Sequence, residues 1–183
     1  MITGRKLLAI MPHCPPALAD LYASCASAAM REREIVTVAR AAAFLGQLAW
    51  ESGELRYFEE QADGSAYEGR RDLGNVHPGD GRRYKGRGPI QLTGRANYRA
   101  AGLALGVALE AMPDLVLEPE YGFGVAAWFW AVHDLNAKAD ALDLTAITRA
   151  INGGLSHHAE RVEYYERAVE ALWPEANVFP EAT

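Results

Sequence analysis

Cysteine is scarce in this chain: Cys14 and Cys25 are the only two among 183 residues, too few for a disulfide framework and without the paired spacing of a metal site. Both are expected as reduced thiols. Basic charge is also short. Lysine and arginine number 18 against 24 acidic residues, a net charge of -6, so the overall basic surface needed for counterion release on nucleic acid is missing. No apolar run approaches the roughly 20 residues of a membrane helix; the best candidate, Gly122 to Val132, is short and followed by His133 and Asp134. Near the start, Leu7 to Met11 is too brief for a signal-peptide core. Internal repeats and low-complexity tracts are absent, and no stretch is depleted enough in apolar residues to suggest a disordered tail. The expectation is a soluble, monomeric protein without its own export signal, with no membrane insertion and no nucleic-acid partner.

What is present suffices for one core. With 50% hydrophobic residues the chain is long enough to bury a sizeable interior and too short for two ordinary domains, so residues 1–183 are read as one domain. Thr3 caps a predicted helix through Met11, and Pro12, Pro15 and Pro16 force a break before a second helix from about Ala17 to Arg31. A third helix is predicted from about Glu34 to Trp50. Gly53 ends it, and the stretch from Gly64 to Gly88, with Pro78 and the pair Asp80-Gly81, reads as irregular throughout, with a small hairpin. Helix resumes after Thr93, taken as its N-cap, and runs to Leu105; further helices are predicted near 119–136, 144–152 and 158–172. Helices therefore bracket a loop-rich middle, and a long ordered loop in a helical domain is more often a functional element than a connector.

Within the third helix, Val38, Ala41, Phe44, Leu45 and Leu48 share one apolar arc. Glu51 falls at the edge of that arc beside Gln47 and Arg40. A carboxyl at such a border is partly desolvated, which helps it keep a proton and act as a general acid; the adjoining Trp50 adds to this. The competing reading is a solvated glutamate in the last turn of a helix, slightly unfavourable against the helix dipole. A glycosidic bond needs two carboxyls flanking it, and Glu54, Glu59, Glu60 and Glu68 are all near. Spacing alone does not choose among them.

Two stretches settle the choice by resemblance: AAFLGQLAWESGELRYFEEQ at 42–61 and RRYKGRGPIQLTGRANY at 82–98. Together with AITRAINGG at 146–154 and HHAERVEYYERA at 157–168, they resemble glycoside hydrolase family 19, the family of chitinases and phage or prophage endolysins. The resemblance implies a mainly α, lysozyme-like, two-lobed helical domain whose loop-rich segment and small β-hairpin line a cleft. It places the general acid on Glu51 and the general base on Glu60, and demotes Glu59 and Glu68. Thr93 matches the hydroxyl that helps hold the attacking water. Gln91, Asn97 and Asn152 match substrate-binding amides, and Arg161 an arginine near the catalytic carboxylates. Neutral amides and hydroxyls suit sugars because they fix hydroxyl and N-acetyl groups without competing for the catalytic proton. Thr93 is also a plausible helix cap, Asn152 a helix C-cap ahead of Gly153, and Arg161 a structural residue. One departure stands out: the family usually has histidine before the first glutamate, and this chain has Trp50.

The resemblance implies a polysaccharide hydrolase without cofactor or metal. His13, His77 and His133 are scattered, and His157 and His158 are adjacent and poorly placed to chelate one ion. Peptidoglycan is the leading substrate, cut between N-acetylmuramic acid and N-acetylglucosamine by an endolysin made in the cytoplasm and released onto the wall through a separate pore. The compact length and the DLGNVHPGDG loop at 72–81 look more like endolysins. Chitin is the alternative. A sugar-binding module that has lost catalysis is disfavoured by retention of both glutamates and Thr93. A nucleic-acid binder using Arg70, Arg71, Arg82, Arg83, Lys85 and Arg87 lacks interleaved stacking aromatics beyond Tyr84.

Overall fold

A computed structural model describes residues 2–173. Helices α1 (Gly4–Ile10), α2 (Ala19–Glu32) and α3 (Val38–Glu51) precede the irregular middle. After it come α5 (Arg95–Leu105), α6 (Pro119–Val132), α7 (Leu135–Asp140), α8 (Leu144–Asn152) and α9 (His158–Leu172), and the middle itself holds the single-turn α4 (Asp80–Arg83). The architecture is helical and lysozyme-like, as the sequence led us to expect.

Side chains mark several of the starts. Thr3 accepts from Lys6 N at 3.3 Å, Thr37 from Arg40 N at 3.2 Å and Asp143 from Ala146 N at 2.8 Å, each satisfying an otherwise orphaned amide of a first turn. The third helix begins at Val38 rather than Glu34, because Glu34 is left-handed and Thr37 supplies the cap. The predicted helix at 119–136 is divided for a similar reason: Asp134 adopts φ 52°, ending α6 and opening α7.

Helix α3 is the spine. Every residue from Ala41 to Ala49 is buried, and Phe44 meets Trp130 of α6 edge-to-face with ring centroids 5.4 Å apart. Helix α9 lies against it with the most extensive packing in the fold. Gly46 permits this approach, since a Cβ there would stand 2.9 Å from the Tyr165 amide nitrogen. The packing brings the N-terminal half of α9 beside the C-terminal half of α3, where Glu51 sits.

The middle segment corrects two expectations. Residues 64–88 are not irregular throughout: α4 forms because the buried Asp80 carboxylate accepts from the Val76 and His77 amides and pairs with Arg95. Thr93 does not cap α5. Gly94 holds the cap position, and the Thr93 hydroxyl instead donates to the Gln91 carbonyl at 2.9 Å. The hairpin is minimal, an antiparallel bridge between Arg87 and Leu92 joined by a second from Glu59 to Arg87. Left-handed Gly88 and Gln91 turn the chain before a longer ladder can form.

Candidate active site

Glu51 ends α3 with its side chain 18% exposed, and its Oε1 accepts from Arg161 Nη2 at 2.6 Å. Arg161 is buried on α9, and its Nη1 donates to Gln47 Oε1, also at 2.6 Å. Gln47 and Glu51 are one turn apart on α3 and so share a face. The chain of contacts goes further: Gln47 Nε2 lies 3.4 Å from Thr148 Oγ1, which lies 2.9 Å from His158 Nδ1. Of the two polar neighbours that the wheel put beside Glu51, Gln47 joins this network, whereas Arg40 turns away to pair with Asp140. Trp50 stacks on His157, ring centroids 4.5 Å apart. The charged group that meets Glu51 is thus a guanidinium from a distant helix.

Glu60 is held separately. Its backbone N–H donates to the Gly86 carbonyl at 2.9 Å, and its carboxylate accepts from Gly86 N at 3.1 Å and from the Tyr67 hydroxyl at 3.0 Å. Burial, and then the bond to Glu60, raise the Tyr67 hydroxyl above its ordinary value, which keeps it a donor. A Cβ at Gly86 would come within 2.8 Å of Gln91 Oε1 and 3.2 Å of Glu60 Oε2, so a side chain there would displace the ends of both. The same measurement shows Gln91 and Glu60 converging on one small volume. Gln91 is left-handed, with φ 56°, and its Nε2 donates to the Gly88 carbonyl at 3.0 Å. Thr93 ties to Gln91 as above, and Asn97 Nδ2 donates to the Thr93 carbonyl at 2.8 Å.

The seven residues proposed from the sequence therefore fall mainly into two clusters. Glu60, Gln91, Thr93 and Asn97 form one, and Glu51 with Arg161 the other. Asn152 is exposed at the end of α8, one turn beyond Thr148, with Gly153 as the left-handed C-cap. The other acidic candidates are occupied elsewhere. Glu59 faces Lys85 and Arg87, Glu68 accepts from the Gly79 and Gly81 amides, and Glu54 is buried against His13 and Tyr164. Sequence reasoning missed Tyr67, Gly86, Thr148 and His158. Tyr67 carries no local signal, and although Gly86 lies within the 82–98 stretch, only the fold brings either of them to Glu60.

The residues around Arg87 that suggested a nucleic-acid face are in part committed internally. Arg87 is buried and pairs with Asp114, while Arg70 pairs with Asp72 and Arg82 with Asp63. A concavity of about 950 Å³ lies among Asp80, Arg95, Leu103 and Glu110 and contains neither Glu51 nor Glu60.

Both the sequence and the fold of this chain are matched in known proteins. The family model described as chitinase class I, of glycoside hydrolase family 19, covers residues 24–166. The chain belongs to glycoside hydrolase family 19. An endochitinase of Arabidopsis thaliana is 43% identical over 117 residues, which is 62% of this chain and 38% of that protein. The chain thus spans well under half the length of such plant relatives of the family. A glycosyl hydrolase family 19 domain-containing protein of Haemophilus influenzae is 29% identical over 196 residues, covering 90% of this chain and 94% of that one. Among solved structures, chitinase C from Streptomyces griseus superposes with a TM-score of 0.76 at 26% identity, over 94% of this chain and 76% of its own. A bacterial family 19 chitinase superposes with a TM-score of 0.75 at 26% identity, over 100% of this chain and 98% of its own.

Proposed function

We propose that this family 19 protein hydrolyses a polysaccharide of N-acetylated sugars, with Glu51 as general acid and Glu60 as general base in a single, inverting displacement. The observation that carries this reading is the separate anchoring of the two carboxyls. Glu51 is held from α9 by Arg161, and Glu60 from the loop segment by Gly86 and Tyr67. Two carboxyls on different elements can flank a sugar ring, one protonating the leaving oxygen while the other activates a water on the opposite face. Thr93, tied to the backbone at Gln91, keeps its oxygen lone pairs free to hold that water. Gln91, Asn97 and Asn152 bind sugar substituents.

Peptidoglycan is the substrate we propose, cleaved by an endolysin acting on the wall. Support comes from the DLGNVHPGDG loop at 72–81, which resembles that of endolysins. The second reading is chitin, favoured by the chitinase names of the similar solved structures and plant proteins. Mass analysis of fragments released from purified peptidoglycan and from chitin oligomers tests both. Muropeptides with a cleaved glycan bond support the first reading, N-acetylglucosamine oligomers alone support the second, and no fragments from either would reject hydrolysis.

A further inference from the structure

Glu54 lies between the two reacting glutamates and is 4% exposed, a burial that a carboxylate tolerates only when its oxygens are satisfied. Here they are. Oε2 accepts from the His13 backbone amide, and Oε1 accepts from His13 Nδ1 at 2.9 Å and from the Tyr164 hydroxyl at 2.7 Å. Burial alone would raise this carboxyl, but the bonds from His13 and Tyr164 outweigh it and hold it below its ordinary value. It therefore stays an acceptor for all three donors.

The backbone at this point is unusual. Gly53, Glu54 and Leu55 are consecutively left-handed, with φ of 55°, 64° and 61°. Glycine enters that region freely, whereas L-residues with side chains resist it, so Glu54 and Leu55 must be held there by their surroundings. The Ser52 hydroxyl contributes, donating to the Leu48 carbonyl and accepting from Leu55 N at 2.8 Å. Glu54 contributes more widely, because its partners come from the α1–α2 connection and from α9. Tyr164 stands three residues after Arg161, on a neighbouring part of the same helix face. Helix α9 thus grips Glu51 through Arg161 and the turn after it through Tyr164.

This turn is the short covalent path from Glu51 to Glu60. We infer that Glu54 is a positioning residue for hydrolysis: by locking the left-handed turn to α9 and to His13, it sets where Glu60 stands relative to Glu51. The inference rests on the acid and base roles proposed above. A turn that relaxed would loosen the spacing of base and acid, leaving Glu60 to its contacts with Gly86 and Tyr67, with the sugar-binding amides in place. Strained backbone at a reacting centre is commonly over-determined by its surroundings in this way.

The test measures kcat and KM on soluble peptidoglycan fragments or chitin oligomers, per folded molecule as judged by circular dichroism, for Glu54→Gln and Tyr164→Phe. The first places an amide against three donors, and the second removes one donor without adding a group. Glu54→Gln is expected to lower kcat ten- to a hundredfold and Tyr164→Phe about threefold to tenfold, each with KM within twofold of the parent. Should Glu54→Gln fail to fold, Tyr164→Phe alone decides. A kcat within twofold of the parent, or a loss confined to KM, would overturn the inference. Glu51→Gln and Glu60→Gln run alongside: if both are inactive while the Glu54 and Tyr164 variants are fully active, only the positioning role fails. If Glu51→Gln and Glu60→Gln are themselves active, the acid and base assignment fails first.

Discussion

Arg161 on α9 spans a full turn of α3, donating to Glu51 Oε1 and to Gln47 Oε1 at 2.6 Å each. A planar guanidinium suits this task because its N–H groups are fixed in a fork, so both acceptors are oriented by one rigid group. The sequence separation is more than a hundred residues, and the contact exists only because α9 packs against α3 at Gly46.

Arg161→Lys is expected to impair the enzyme although it preserves charge. An ammonium cannot bridge Gln47 and Glu51 in the same geometry, and the Gln47 carbonyl would be left buried without a donor. Loss of such a partner costs about 1–3 kcal/mol, so a thermal melt should shift down by several degrees. The rate per folded molecule should fall at least tenfold. A lysine variant with parental rate would show that the fork does not orient Glu51.

Glu51→Gln and Glu60→Gln should each lower hydrolysis by about a hundred- to ten-thousandfold, the range associated with loss of a general acid or base. Glu59→Gln should do far less, since Glu59 is a partly exposed partner of Lys85 and Arg87. Glu68→Gln is expected to lower stability by weakening the acceptor for the Gly79 and Gly81 amides, with little change in rate per folded molecule. Equal rate losses at Glu59, Glu60 and Glu68 would leave the base unassigned.

The middle segment should soften in acid before the helical core does. The hydrogen bond from Arg95 is the chief reason that Asp80 is lowered to about 2, and bonds from Arg99 and Arg95 likewise lower Glu110 to about 2. Both folded values lie below those of an unfolded chain. Their stabilising contribution is therefore complete above about pH 5 and is lost as pH falls toward 2. Melts of the parent and Asp80→Asn should differ by roughly 2 kcal/mol at pH 6 and converge near pH 2. A difference that stays constant across that range would contradict the assignment.

Stereochemistry offers an independent check on the roles of the two glutamates. An inverting mechanism leaves room for water, with the carboxyls roughly 6.5 to 9.5 Å apart rather than the roughly 5 to 5.5 Å of a retaining pair. Proton NMR of the first product should show the inverted anomer. Thr93→Val should lower kcat more than it raises KM, because the hydroxyl is expected to hold the water rather than the sugar. An initial product of retained configuration would reject Glu60 as base.

Much of this protein was legible in its local patterns. The apolar arc through Phe44, Leu45 and Leu48 identifies α3 as a core helix, and it places Glu51 at the border with Gln47, where the structure finds both. Prolines at 12, 15 and 16, Gly106 and Gly153 mark breaks that occur where expected. These signals are legible because helix periodicity, capping and chain reversal depend on residues within a few positions of one another. The four motif stretches that resemble family 19 add the candidate site residues by resemblance, each motif being short and contiguous.

Tertiary structure alone decided how those residues work together. Capping chemistry at Thr93 was overruled by Gly94, and the helical turn at Asp80 formed inside a glycine-rich stretch because Arg95, fifteen residues on, supplies a counter-charge. Tyr67 and Gly86 reach Glu60, and Arg161 reaches Glu51, only across packed elements. The clamp of Glu54 by His13 and Tyr164 spans 41 and 110 residues of sequence. Such contacts leave no periodic trace, since any donor of the right length on a facing helix would serve. The sequence determined which carboxyls are available, while the close approach of α9 to α3 and the left-handed turn at 53–55 decided how each is held.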